Sequence, residues 1–271
     1  GTVIALRNQI PLPRNPANLL YDARDRMAAT KALVVSRTGW PTTPGSVLAG
    51  AVEVQATIDY GTNYISPVGQ DMTNKLFQYC GMMVMAAEDN TSVTIDADGA
   101  GPAAPINIPL NRGESYLVNG GVKKGAVITS TKPVQVDLVT GHIGARYASD
   151  WFALYPVEQW SDAYYTPVGT AASGNPTYAY LFNPNSSNIV VNVTTRIGGA
   201  NLTLPANGGV VQYQMPQNSG AKFATTNGAK FFALSTVGAN PSSDAAYDWG
   251  FSFLPADGLT IGWDRARGCS G

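Results

Sequence analysis

Lys132-Pro-Val-Gln-Val-Asp-Leu-Val-Thr-Gly141 alternates apolar and polar residues with period two. That spacing puts one face of a β-strand on a core and the other toward water. Two further stretches resemble it, Lys31-Ala-Leu-Val-Val-Ser-Arg-Thr-Gly39 and Lys230-Phe-Phe-Ala-Leu-Ser-Thr-Val-Gly238, each about 100 residues away. Recurrence at a fixed offset marks the stretch as one element of a repeated unit. Working outward, Asp150-Trp151 follow Lys132 by 18 and 19 residues, and Asp248-Trp249 follow Lys230 by the same distances. Both pairs open apolar runs, Phe152-Ala-Leu-Tyr-Pro156 and Phe251-Ser-Phe-Leu-Pro255. Ile65-Ser-Pro-Val-Gly69 matches Tyr165-Thr-Pro-Val-Gly169, and Ile10-Pro-Leu-Pro-Arg14 matches Ile108-Pro-Leu-Asn-Arg112. The matches keep their order, so the chain is read as a single repeat-built domain, 1–271, with units 1–69, 70–169 and 170–271. The first unit has no counterpart of Leu76–Glu88 or of Tyr178–Asn183.

The rest of each unit carries the same period. Ser92-Val-Thr-Ile-Asp96, Ile106-Asn-Ile-Pro-Leu110, Val190-Val-Asn-Val-Thr194 and Val210-Val-Gln-Tyr-Gln214 all alternate. Turn formers such as Asp98-Gly99 and Asn119-Gly-Gly121 separate them, at roughly the 8–12-residue spacing of all-β domains. An all-β fold is expected, with about eight short strands in each complete unit. Eight strands make either one sandwich or two four-stranded blades. The six-bladed, propeller-like ring is taken ahead of tandem β-sandwiches, and its closure would bring residues 1–6 to residues 259–271. One segment departs from the β pattern. Asn15 can cap a helix, Pro16 suits its first position, and Leu19, Leu20, Ala23 and Met27 share a face, so a short helix is expected over 16–29.

Composition removes several function classes. Charged residues are 13% and the net charge is −1, which offers no basic face to nucleic acid. No apolar run reaches the length that spans a membrane as a helix. The single histidine, His142, lies in the turn Gly141-His-Ile-Gly144 and is read as a solvated group. No nucleophile elbow, Walker loop or dinucleotide fingerprint accompanies it. Asp150 and Asp248 occupy the same place in their units, whereas a catalytic pair needs two different environments. They are read as scaffold, with Trp151 and Trp249 packed inside. The chain is therefore expected not to be an enzyme and to carry no cofactor. Asp96-Ala-Asp98-Gly99 offers carboxylate oxygens to calcium, and equally an Asx-Gly turn needing no metal. Cys80 and Cys269 are too far apart in sequence for a metal motif; one disulfide and two free thiols both stay open. Trp160, Tyr164 and Tyr165 are candidate ligand-binding aromatics, with packing in a sheet core as the alternative. Asn90, Asn185, Asn192 and Asn201 stand in Asn-x-Ser/Thr sequons, which are glycan acceptors in a eukaryotic secreted protein.

The segment Gly125-Ala-Val-Ile-Thr-Ser-Thr-Lys-Pro-Val-Gln-Val136, then Asp150-Trp-Phe-Ala-Leu-Tyr-Pro-Val157, Trp160 and Tyr164-Tyr-Thr-Pro167, resembles the N-terminal domain family of IgGFc-binding proteins. That family repeats a hairpin of the form G-x-x-I-x-S-x-K-P-V-x-V, followed by an acidic residue, an apolar L-P-V segment and a Y-x-x-P strand. The resemblance spans residues 70–260 and is clearest over 106–169. It implies an extracellular or cell-surface location and an adhesive or assembly role, and it carries no antibody-binding residue across. The expected function is thus a non-catalytic structural, adhesion or self-assembly module at the cell surface. Its expected partners are itself, other surface proteins or glycans, without nucleic acid or membrane insertion. The low charge supports this by weakening repulsion between packed copies. A carbohydrate-binding module using Trp160, Tyr164 and Tyr165 is the alternative, and a β-fold glycoside hydrolase or lyase a more distant one.

Overall fold

Val, Ile, Thr and aromatic runs, bounded by Gly, Asn and Asp turns, become strands. The computed structural model describes residues 3–5, 27–39, 50–143, 149–166, 169–170, 174–237 and 249–256. Within them the chain is all-β apart from three single turns of 3-10 helix and an isolated residue. The strands are β1 (Ser36–Gly39), β2 (Gly50–Glu53), β3 (Gly61–Ile65), β4 (Tyr79–Ala86), β5 (Thr91–Asp96), β6 (Ile106–Leu110), β7 (Ser115–Val118), β8 (Val127–Gly141) and β9 (Ser149–Ala153). They continue as β10 (Ala163–Thr166), β11 (Thr177–Asn183), β12 (Ile189–Thr195), β13 (Gly198–Leu204), β14 (Gly209–Gln214), β15 (Ala221–Thr225), β16 (Phe232–Val237), β17 (Gly250–Ser252) and β18 (Leu254–Pro255).

β8 organises the first half. Its opening, Val127–Ser130, pairs with β5 and with β3, while its second part, Val134–Gly141, pairs with β4 and β9. Between the two lies Pro133, which has no N–H to give a ladder. The strand therefore turns a corner there and passes from one layer to the other, so the seven-stranded sheet almost closes on itself. Tyr64, Met82, Val84, Ile95, Ile128 and Val136 fill its interior. In the second half the layers are separate sheets, β13-β12-β15-β10-β18 and β14-β11-β16-β17. They enclose a second core that includes Tyr164, Leu181, Val191, Phe223 and Phe231.

β11 and β16 are covered on both faces. Ala179, Leu181 and Ala233 belong to the second core, and the alternate residues Tyr180, Phe182, Phe232 and Leu234 belong to the first. This is why Phe231-Phe-Ala-Leu234 reads as a continuous apolar run. Two buried tyrosines hold the entries to the halves. Gly61 N–H donates to the Tyr64 hydroxyl at 2.9 Å, and that hydroxyl donates to Val134 O at 2.5 Å. Ser161 N–H donates to the Tyr164 hydroxyl at 3.0 Å, and Tyr164 donates to Phe231 O at 2.7 Å.

Three expectations meet this architecture differently. A propeller blade joins strands in chain order. Here β11 lies between β14 and β16, and β12 between β13 and β15, so among the described residues no sheet is ordered as a blade of the six-bladed ring. The closing segment 259–271, and residues 1, 2 and 6, lie outside the described residues, as does most of the helix expected over 16–29; its last three residues, Met27–Ala29, are not helical. Alternation placed Gln135 and Asp137 on a water-facing side, yet they are 6% and 6% exposed. The β1–β2 hairpin covers that side. Val52 packs with Val139 and Trp151, and the Arg37 guanidinium sits 5.3 Å from the Trp151 ring centre.

Candidate functional site

The three candidate aromatics separate. Trp160 is buried among Phe182 and Phe232, and Tyr164 lies in the second core. Only Tyr165 is on the surface, 46% exposed. Successive residues of a strand point to opposite faces, which sends Tyr164 inward and Tyr165 outward. Tyr165 stands opposite Lys222 on β15 and Leu254 on β18. The Lys222 ammonium lies 5.7 Å from its ring centre, a cation–π arrangement. The row continues to Thr194 and Gly199, and the next row is Ala163, Ala224, Asn192 and Asn201. Lys222 is the one charge in these two rows. In the first half, Asn63, Thr129, Thr94 and Asn107 share one row, with Thr94 Oγ1 donating to Asn107 Oδ1 at 2.7 Å. Both outer sheet faces thus present amides and hydroxyls with little charge. Such a face suits a broad contact made of hydrogen bonds around an aromatic anchor.

The residues of the Lys-Asp-Trp motif have the following surroundings where they are described. Lys31 is exposed ahead of β1. Lys132 Nζ donates to Asp89 O at 2.6 Å and lies 3.8 Å from Glu88. Lys230 Nζ donates to Glu158 O at 3.4 Å. Asp150 is buried in β9 and accepts the Thr236 hydroxyl at 2.5 Å, tying the first half to β16. Trp151 is buried, and Trp249 stacks on Phe251 with ring centres 5.5 Å apart. Asp248 lies outside the described residues. At the candidate calcium position Asp98 Oδ2 is 3.8 Å from Lys123 Nζ and accepts Ala103 N–H at 3.2 Å, so a cation and a turn amide already engage it. Among the described residues no three His, Cys, Asp or Glu side chains gather as a metal set. His142, expected to be solvated, is largely buried, and burial together with Lys75 lowers its pKa. Cys80 is a buried free thiol whose burial raises its pKa; Cys269 lies outside the described residues.

One polar cluster escaped the sequence reading. The Tyr60 hydroxyl donates to Gln135 Oε1 at 2.7 Å, and Gln135 Nε2 donates to both Asp137 oxygens at 3.1 and 3.0 Å. Burial pushes the Asp137 carboxyl up to about 6, against the opposing pull of Gln135 and Arg37. The only sequence signal was the pair Gln135-x-Asp137 itself, which reads as a wet face until the hairpin over it is known. A carboxyl whose folded pKa is raised takes up its proton more readily in the folded state. Its contribution is present below the unfolded pKa near 4 and is lost as pH rises through about 6. Urea midpoints are therefore expected to fall across that window, and Asp137→Asn to remove this part of the slope. An unchanged slope in Asp137→Asn means that the carboxyl does not titrate there.

The family model described as IgGFc binding protein matches residues 52–260, a span that contains both cores. No curated protein and no solved structure matches the chain.

Proposed function

The chain belongs to the IgGFc binding protein family, and from that membership we propose that it is an extracellular, non-catalytic module that holds other proteins against its outer sheet faces. The observation that carries this reading is the surface around Tyr165, Lys222 and Leu254, with Asn192, Asn201 and Thr194 beside it. Low charge and the surface amides favour a protein face over a basic or acidic ligand. The carbohydrate alternative retains one of its three aromatics, Tyr165. Among the described residues no helix is long and apolar enough to cross a membrane.

The same reading takes the two complete halves as copies of one sandwich. The ladders β4–β7, β4–β8, β5–β6, β5–β8 and β8–β9 have counterparts in β11–β14, β11–β16, β12–β13, β12–β15 and β16–β17. β3 and β10 fill matching places beside β8 and β15. The β1–β2 hairpin corresponds to β8–β9, a remnant of a third copy in the first unit.

The immunoglobulin Fc fragment is the first probe, because the family's description names it. With the chain immobilised, Fc is expected to bind saturably, and Tyr165→Ala to weaken it at least about tenfold, as for an exposed aromatic anchor, with an unchanged melting temperature. Failure of Fc to bind removes the Fc assignment. Binding that ignores Tyr165→Ala moves the contact off this face.

A further inference from the structure

We propose that β14 is an edge through which two copies of this chain join, extending the four-stranded sheet β14-β11-β16-β17 of each into one continuous eight-stranded sheet. This surface is separate from the face around Tyr165. Among the described residues β14 pairs with β11 alone, in an unbroken register from Tyr178↔Gln214 to Asn183↔Gly209. The strand Gly209-Val-Val-Gln-Tyr-Gln214 contains no charge and no proline, and every residue in it keeps some exposure. An edge of this kind is an open template for another strand.

Most other described edges are short, irregular, or carry a charge or proline, β1 and β2 having four residues each. β6 contains Pro109 and β7 is four residues long behind Glu114. β13 opens on Gly198-Gly199, β3 has a register shift, β9 carries Asp150, β17 has three residues and β18 ends on Pro255. β14 combines six residues, β-forming side chains and a straight register with no charge, proline or bulge; the other unbroken edge, β13, opens on two glycines, which weaken a strand.

The occupant is a second copy because the edge complements itself. β11, β14 and β16 contain no ionisable acid or base of the Asp, Glu, Lys, Arg or His type, so two copies meet without charge repulsion. An antiparallel, two-fold pairing keeps like faces together only when opposed residues have the same parity. Of the registers that satisfy this, the one proposed is centred on Gln212: it sets Gln212 against Gln212 of the partner subunit and Val211 against the partner's Tyr213. This extends the apolar side above the second core, where Val211 and Tyr213 already pack, and sets the exposed Gln212 amides side by side.

The test is sedimentation velocity on the full chain over a range of concentrations, with Gln212→Lys and Gln212→Glu beside it. The wild type is expected to reach twice the chain mass of 28.5 kDa. Each variant alone places like charges directly opposite and is expected to weaken the dimer at least about tenfold. Mixing the two variants restores it. Circular dichroism and melting temperature stay unchanged, because Gln212 is exposed. A wild type that stays monomeric up to its solubility limit, variants that dimerise like the wild type, or a mixture that fails to recover each overturns the proposal.

Discussion

Trp160→Ala is expected to cost about 4 kcal/mol of stability, the range for truncating a fully buried tryptophan, and to loosen both cores together. The ring is 2% exposed. Its centre lies 5.9 Å from Phe182, edge to face at 90°, and 5.2 Å from Phe232. Its Nε1–H donates to Tyr155 O at 3.0 Å. Phe182 and Phe232 belong to β11 and β16, whose opposite faces form the second core. Removing the indole opens a cavity where the two halves share these strands and leaves a carbonyl without its donor. Trp160→Phe keeps most of the packing and loses the donor, so a smaller cost of about 1–2 kcal/mol is expected. Urea unfolding with hydrogen exchange on β4 and β12 reads both halves at once. A wild-type midpoint in Trp160→Ala, or exchange that rises on one side only, would rule out the shared layer.

Gly69→Ala is the second large effect, expected at about 3 kcal/mol, the upper part of the usual range for forced overpacking. A Cβ on Gly69 would lie 2.0 Å from Lys124 N and 2.2 Å from the Lys123 carbonyl carbon. Backbone on both sides is held in place. Ser66 N–H donates to Ala126 O and Gln70 N–H to Val122 O, each at 2.9 Å. Neither loop can retreat without breaking those bonds. At Gly169 the same Cβ would meet Pro216 O at 2.8 Å and Met215 Cβ at 3.3 Å, so Gly169→Ala is expected to cost less. Thermal melts of the two variants check the order, and equal stability of Gly69→Ala and wild type contradicts the close approach. The matched motifs Ile65–Gly69 and Tyr165–Gly169 thereby acquire a reason. Each ends where one backbone passes close to another.

The candidate site divides along the same lines. Tyr164 and Tyr165 are adjacent and chemically alike, and period two assigns them to opposite faces without saying which face is wet. The burial of Trp160 was equally hidden, since it follows the single turn Val157–Gln159 rather than a strand, and no periodicity reports its direction. His142 read as a solvated loop residue because a turn was visible and its cover was not. Gln135 and Asp137 read as a solvated face because their cover, the β1–β2 hairpin, lies more than 80 residues earlier in the chain.

What the residues alone settle is local. Alternation and turn chemistry act over a few neighbours, and they suffice for the β class, for the approximate position of most strands and for the family motif around Lys132. Strand neighbours are another matter, because backbone hydrogen bonds carry no residue identity and any edge can accept any other. The order β14-β11-β16-β17, the corner in β8 at Pro133 and the covering of Asp137 follow from how the layers exclude water over long sequence distances. It was that packing which turned Trp160 and Tyr164 into core and left Tyr165 as the exposed aromatic of the three.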